Sequence, residues 1–414
     1  MANMGLSNVK GTRDLPPEDM VNRNEAISIL KRIFESYGFQ PLETPGLENW
    51  EVLSAKGTGG RDIIDQTYNF KDKSNRSIGL RYDLTVPLAR FIAMNKQLAM
   101  PFKRYQYGKI WRYEEIKKGR YREFYQFDID TIGTDSMLAD AEIIGCAIDC
   151  TNALGFRDFN VRINNRKLLD SLLIYAGVEK SKLIEALRAI DKLDKIGVGG
   201  VKAELSQCGI SNGAIEKIMG FLKISGKPDE VLKKIEKIAG ENDGVKELKQ
   251  LISYLIMMGF KSKYVIDLSL ARGMEYYTGP VFELSYGSIG SIGGGGRYDR
   301  MIGIFAGSDI PATGISFGID RIAELRKPQK IAVTDVFIAV VGDVLKVALA
   351  FCRKLRKKGM NVEIDLLGRS LSKQLEYANS RGIPKVIVIG EKELNAGFAT
   401  EKDMKTGKQR RMKI

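Results

Sequence analysis

Arg112-Tyr-Glu-Glu-Ile-Lys-Lys-Gly-Arg-Tyr-Arg-Glu-Phe-Tyr-Gln-Phe-Asp-Ile-Asp130 reads as two strands joined by a basic loop that contains a glycine. Side chains alternate along a strand, so the second arm sorts by parity. Phe124, Gln126, Asp128 and Asp130 share one face, and Tyr125, Phe127 and Ile129 share the other. The second face is ordinary core. The first is a row of hydrogen-bonding groups headed by an aromatic ring; the incoming arm adds Arg112 and Glu114, and the loop adds Arg120 and Arg122. Such a set suits an anionic ligand bearing a flat base. A hairpin whose polar face simply meets water alternates in the same way, so the rest of the chain has to separate the two readings.

The 414 residues are enough for two or three domains. Hydrophobic residues make up 44% and charged residues 28%, the balance of a soluble globular protein. No apolar run reaches membrane-spanning length and the N-terminal stretch lacks a secretory pattern, which reads as a cytoplasmic protein with no membrane partner. Cys146, Cys150, Cys208 and Cys352 are too sparse for a disulfide framework and have no metal-binding spacing. Cys146 and Cys150 sit in an apolar helical run, where packing is their natural role. The chain has no histidine. That excludes Ser-His and Cys-His nucleophiles and histidine metal sites, leaving Arg, Lys, carboxylate, Tyr and a recruited ion as the available chemistry. No metal ligands can be named from the pattern.

The net charge of +14 points to polyanionic partners, and most of the excess is local. Residues 327–414 carry 19 Lys and Arg against 9 Asp and Glu, a net of +10. A nucleic-acid contact and a merely solvated lysine-rich surface both fit that run.

In chain order, a turn-rich lead-in from Gly11 to Pro17 precedes a helix from Glu18 to Tyr37. Phe39 to Gly46 is extended but broken by prolines, which suits a sheet edge or an interface. Ala55 to Asp65 reads as a polar, glycine-rich loop that could close over a ligand or simply move. Ile78 to Pro87 reads as a strand on which Asp83 and Thr85 point the same way, a possible acceptor pair for an ammonium group. A helix from Val86 to Asn95 and a strand from Lys103 to Tyr113 then lead into the opening hairpin, and a helix from Ser136 to Leu154 and a strand from Asn160 to Ile163 follow it.

From 167 to 260 the pattern is helical and lysine-rich, with glycine breaks at Gly197, Gly199 and Gly200. Strands resume at Tyr264–Leu270 and Val281–Tyr286, so the helical stretch is an insertion. Gly293 to Gly296 are four glycines in a strand region; they make sense where backbone must lie against a ligand, or as a floppy hairpin tip. Thr313 to Arg321 reads as a strand turning into a helix. Beyond Thr334, strands and helices repeat with continuous apolar strands, the pattern of a small parallel or mixed α/β domain.

Three of these segments resemble the signature motifs of class II aminoacyl-tRNA synthetases. Arg112-x-Glu114, the loop and Arg120-x-x-x-Phe124 resemble motif 2; Gly314 to Arg321 resembles motif 3; the first helix, running on towards Pro45, resembles the dimer-forming motif 1. Arg272-Gly-Met-Glu-Tyr-Tyr-Thr-Gly279 and Gly294-Gly-Gly-Arg-Tyr-Asp299 are similar to the two histidine-specific motifs of the histidyl-tRNA synthetase family, a far more restrictive pair. Departures keep charge or size: Glu275 and Asp320 exchange Asp and Glu relative to the usual pattern, Asp83 and Asp130 stand where many members have Glu, and Ser316 replaces a glycine.

The resemblance implies an α+β catalytic domain with a mainly antiparallel six- to seven-stranded sheet. Its first part would be 1–166 and its second 261–326, with a helical insertion domain at 167–260 and a C-terminal α/β anticodon-binding domain at 331–414. It implies ATP-dependent ligation of L-histidine to tRNA(His) through a histidyl-adenylate, with Mg2+ and a homodimer. Arg112 is then expected to hold the α-phosphate of ATP, Arg120 and Arg321 the outer phosphates, and Phe124 the adenine with Glu114 nearby. Asp83, Thr85 and Gln126 would receive the amino group of histidine, Asp130 and Tyr277 the imidazole with Tyr276 beside them, and Arg272 would bridge the histidine carboxylate and the α-phosphate. Arg272 and Arg112 are the catalytic candidates. The alternative from another class is a histidine-sensing relative, the regulatory subunit of ATP phosphoribosyltransferase, which keeps the fold but usually lacks the tail domain and the ATP-binding arginines.

Overall fold

The computed structural model describes residues 6–55, 61–116, 119–273, 276–287, 290–327 and 332–413. The chain divides into two compact units, one of residues 1–13 and 26–326 and one of residues 14–25 and 327–414.

Among the described residues the first unit contains eleven strands: β1 (Gln40–Pro41), β2 (Leu47–Asn49), β3 (Asn69–Lys71), β4 (Ser77–Leu80), β5 (Phe102–Trp111), β6 (Glu123–Ile132), β7 (Phe159–Asn165), β8 (Tyr264–Ile266), β9 (Pro280–Tyr286), β10 (Gly290–Arg297) and β11 (Ala312–Gly318). Eight form one sheet in the order β1-β5-β6-β11-β10-β9-β7-β8, antiparallel except at the two margins, where β1 and β8 pair in parallel. The two-residue β1 takes the count one past the expected seven, and its Pro41 sits at an edge, where a missing N–H breaks no ladder. β2, β4 and β3 make a separate three-stranded sheet.

Parity on β6 is as expected. Phe127 and Ile129 are fully buried against the first helix (Pro17–Ser36), and the Phe34 and Phe127 rings meet edge-on at 4.7 Å. Helix Met137–Ala153 buries Cys146 and Cys150 in the same core. The helical stretch runs from Arg166 to Met257 as six helices and one short 3-10 turn. Its buried leucines and isoleucines continue the hydrophobic core of the sheet without a break, so the insertion packs as part of this unit. Of the three expected glycine breaks, Gly197 leaves helical geometry, with φ at 68°.

Two local expectations are corrected. Ile78 to Pro87 is not one strand: β4 ends at Leu80, while the helix expected to follow it is present and runs from Thr85 to Met94. Asp83 Oδ1 accepts the otherwise free N–H of Val86 at 3.0 Å in the first turn of that helix. Pro87 falls in the first turn, where a missing N–H breaks no helical bond. The second is Ala55 to Asp65: Arg61–Asp65 is a short helix rather than loop, and residues 56–60 lie outside the described residues.

In the second unit, β12 (Val336–Val341), β13 (Val362–Ile364), β14 (Lys385–Gly390), β15 (Phe398–Asp403) and β16 (Gln409–Lys413) order as β13-β12-β14-β15-β16. The first three are parallel and the last two antiparallel. Helix Leu345–Lys357 packs Phe351 and Cys352 on one face of the sheet, and helix Leu371–Ser380 packs Ala378 on the other. Burial on both faces is why these strands read as continuous apolar runs. Among the described residues no helix is long and apolar enough to cross a membrane.

Candidate active site

Cross-strand register builds the floor of the site row by row. Arg104, Asp130, Gly314 and Gly296 stand side by side across β5, β6, β11 and β10. The neighbouring row is Gln106, Asp128, Ser316, Gly294, Glu283 and Arg162, running on through β9 to β7. Above this floor lies a cavity of 720 Å³, and all twelve expected site residues line it: Asp83, Thr85, Arg112, Glu114, Arg120, Phe124, Gln126, Asp130, Arg272, Tyr276, Tyr277 and Arg321.

The glycines of the floor have a sharper explanation than contact with a ligand. A methyl group at Gly294 would come within 3.3 Å of Arg272 Nη1, and one at Gly296 within 2.9 Å of the Tyr277 ring. At Gly314 it would stand 2.0 Å from Asp130 Oδ1. These positions lack side chains because the cavity's own Arg272, Tyr277 and Asp130 fill the space above them. The floppy-tip reading of the glycine run fails, since Gly293 to Gly296 are paired on both sides.

At one end, Glu114 sits between two cations, 3.8 Å from Arg112 and 3.7 Å from Arg120. Arg112 is anchored by donating from Nε to the Tyr82 carbonyl at 2.9 Å, and its guanidinium lies 5.6 Å from the centre of the Phe124 ring. Arg321 projects from the first turn of helix Ile319–Leu325. Three arginines and an aromatic ring at one end of a cavity can neutralise phosphates and stack a base.

The other end is acidic and drier. Asp130 is buried and meets Arg104 at 2.6 Å, an ionic contact rather than an aligned hydrogen bond, while Tyr298 donates its hydroxyl to Asp130 Oδ1. Asp128 accepts from Ser316. Burial pushes the Asp128 carboxyl up to about 7, with Arg104 pulling it down and Asp130 pushing it further up; burial likewise lifts Asp83 to about 6 and raises Asp130, against Arg104 and Tyr298. Gln126 Oε1 is buried and accepts no hydrogen bond from a described residue. Together with the Asp83 carboxylate it offers acceptors for an ammonium group. The Tyr276 and Tyr277 rings lie 4.3 Å apart, and burial keeps both hydroxyls protonated.

Arg272 reaches the cavity from the chain after β8 and donates to Glu283 at 2.9 Å and Ser291 at 3.2 Å. Met274 and Glu275 of the same motif lie outside the described residues, as do Lys117 and Lys118 of the hairpin loop.

Several participants escaped the reading of the sequence. Asp128 was on the polar face of the second hairpin arm but had no role. Arg104 is invisible in the pattern because a fully buried arginine is rare; the alternation of Arg104 and Gln106 in β5 was the available signal. Arg297 and Asp299, within a motif read as ligand-specific, are structural here. Arg297 is buried, pairs with the fully buried Asp140 and with Asp299 at 3.3 Å, and donates to the carbonyls of Thr134 and Ser136. It ties the end of β10 to the start of helix Met137–Ala153.

The family model of histidyl-tRNA synthetase matches residues 11–322, and that of an anticodon binding domain matches residues 335–414. The chain is 45% identical to the histidine–tRNA ligase of Aeropyrum pernix over 94% of its own length and 92% of the relative's. To that of Pyrococcus furiosus it is 39% identical over 99% and 97%. Among solved structures, a histidyl-tRNA synthetase from Nostoc sp. PCC 7120 superposes with a TM-score of 0.89 at 32% identity, covering 99% of this chain and 97% of the other.

Proposed function

Because the chain belongs to the histidyl-tRNA synthetase family, we infer that it joins L-histidine to tRNA(His) in two ATP-dependent steps within the 720 Å³ cavity. In the first, the histidine carboxylate attacks the α-phosphate of ATP and pyrophosphate leaves. In the second, a terminal ribose hydroxyl of the tRNA takes the histidyl group and AMP is released. Neither step needs a protein nucleophile; alignment and neutralisation of charge are sufficient work for fixed arginines. A chain without histidine loses nothing by that.

The observation that carries this reading is the gradient along one cavity, cationic and aromatic at the Phe124 end and acidic at the Asp130 end. In our assignment Phe124 stacks adenine, Arg112 holds the α-phosphate, and Arg120 and Arg321 take the outer phosphates. Gln126, Asp83 and Thr85 receive the α-ammonium group, supported by the buried, unpartnered Gln126 Oε1 and by Asp83. Asp130 and Tyr277 receive the imidazole; a carboxylate has about four lone-pair sites, so Asp130 can accept from the ligand while engaged by Arg104 and Tyr298. Arg272 bridges the two substrates' reacting groups.

Magnesium fits as an ion brought in by ATP. Among the described residues no three ligating side chains form a cage, and Mg2+ is commonly held by substrate phosphates and water with one or two carboxylates. Glu114 and Asp320 are carboxylates at that end, and the ion's contribution would be to neutralise phosphate charge.

The 335–414 segment would bind the anticodon stem-loop, supported by its family match and its net positive charge. We retain the division into two catalytic segments, a helical insertion at 167–260 and an anticodon-binding domain at 331–414. We also retain a homodimer, testable by sedimentation, and a cytoplasmic location, in keeping with four free cysteines.

ATP–pyrophosphate exchange measured with each amino acid in turn tests the whole reading. Exchange that depends on histidine alone supports it. Silence with every amino acid would favour the histidine-sensing alternative, whose usual lack of cationic residues contrasts with Arg112, Arg120, Arg272 and Arg321 around one cavity here.

A further inference from the structure

We propose that Glu283, itself held by Arg162, is the positioning residue that orients Arg272 for adenylate formation. The inference rests on the role assigned to Arg272 above.

Arg162 and Glu283 face each other across β7 and β9, and Glu283 faces Gly294 across β9 and β10. Without a side chain at Gly294, the Arg272 guanidinium can lie over that position and reach Glu283 Oε2 at 2.9 Å. The other oxygen of the same carboxylate, Oε1, accepts from Arg162 Nη1 at 3.0 Å. Arg162 is in turn fixed by Asp267 at 2.7 Å and by the Ser269 hydroxyl at 3.0 Å. Asp267 is immobilised by the turn it closes, accepting from both the backbone and hydroxyl of Ser269.

The exposures run in the order such a device requires. The Glu283 side chain is 12% exposed and that of Arg162 18%, whereas that of Arg272 is 54% exposed towards the cavity. A half-exposed arginine on a turn after β8 has many rotamers, and ordering it during the reaction opposes catalysis. A carboxylate clamped between two arginines removes that freedom beforehand, which is the preorganisation that transition-state stabilisation depends on. Glu283 lines the same cavity, with Oε2 engaged by Arg272 and Oε1 by Arg162. Its effect passes through Arg272.

ATP–pyrophosphate exchange with Glu283→Gln, Arg272→Ala and the double variant tests this. Glu283→Gln is expected to lower kcat by about 10- to 100-fold, the weight of one hydrogen bond to a charged group, with the KM for histidine little changed. The double variant should be no slower than Arg272→Ala alone, because without the guanidinium Glu283 has nothing left to orient. Ser291→Ala, which removes the weaker second contact to Arg272 together with the hydroxyl's own bond to the Gly293 carbonyl in β10, should show a smaller loss that also vanishes in the Arg272→Ala background. It serves if Glu283→Gln fails to fold. Multiplicative losses in the double variants, or Glu283→Gln at the wild-type rate, would overturn the proposal. A near-normal rate for Arg272→Ala would instead overturn the role of Arg272, and the proposal with it.

Discussion

Arg104, with none of its side chain exposed, lies 2.6 Å from Asp130, its direct cross-strand neighbour. The pair makes Asp130 both a recognition group and a structural counter-ion. Asp130→Ala would leave Arg104 buried with a 3.3 Å bond to the Leu84 carbonyl, and stranding a buried charge costs about 3–5 kcal/mol. Asp130→Asn keeps the shape and part of the hydrogen bonding. The expectation is that Asn loses discrimination for histidine while staying folded, and that Ala loses both. Amino-acid-dependent exchange and urea unfolding separate the two effects; intact selectivity in Asp130→Asn would remove Asp130 from the imidazole site.

Gly314 is the position that keeps this carboxylate in place. Gly314→Ala puts a methyl group 2.0 Å from Asp130 Oδ1 and 2.6 Å from the Ile129 carbonyl, and backbone on one side leaves little room to yield. Overpacking of this kind costs about 1–3 kcal/mol, and the displaced carboxylate should raise the KM for histidine more than that for ATP. Calorimetry and exchange kinetics measure both, and an equal rise in the two constants would count against Asp130 as a histidine receptor.

Asp83 gives a dependence on pH. Its carboxyl is raised to about 6 by burial, and it adds charge attraction to its hydrogen bond with an ammonium group only when ionised. The ratio of histidine KM between Asp83→Asn and wild type should therefore be largest above about pH 6 and shrink as pH falls below it, with the ligand's own titration cancelling in the ratio. A ratio independent of pH between 5 and 8 would separate Asp83 from the amino group.

Asp128 gives a dependence of stability. Its folded value, about 7, lies above the roughly 3.9 of a free Asp, so the folded state holds the proton more tightly. The resulting stabilisation is full below about pH 4 and is lost as pH rises through about 7. Asp128→Asn, neutral at every pH and still able to accept from Ser316, should gain on wild type across that window by roughly 1–4 kcal/mol and hold the gain above it. Denaturation at several pH values follows this difference. A flat difference would mean that Asp128 is ionised throughout.

The basic C-terminal segment predicts a salt effect confined to one half-reaction. Raising salt from about 50 to about 200 mM should weaken tRNA charging on the order of 10-fold or more through lost counterion release, and pyrophosphate exchange several-fold less. Equal losses in the two assays would leave the net +10 of residues 327–414 as solvated surface.

Strand parity, helix stripes and the order of motifs depend on local spacing, and they were legible without coordinates. The polar face of β6, the insertion between β7 and β8 and the α/β tail all follow from periodicity that any folded chain must respect. Alternation alone overran at Asp83: the strand stops at Leu80, and the Asp83 carboxylate accepts the Val86 N–H in the first turn of the expected helix.

What the tertiary structure alone decided is which side chains meet across strands far apart in sequence. Arg104 opposite Asp130, Arg162 opposite Glu283, and Gly294 beneath Arg272 are matters of register and burial. A buried charge is acceptable only beside its partner, and that partner comes from another strand. The stretch from Arg112 to Asp130 thus specified the kind of surface the protein presents, and the neighbouring strands determined how its charges are balanced.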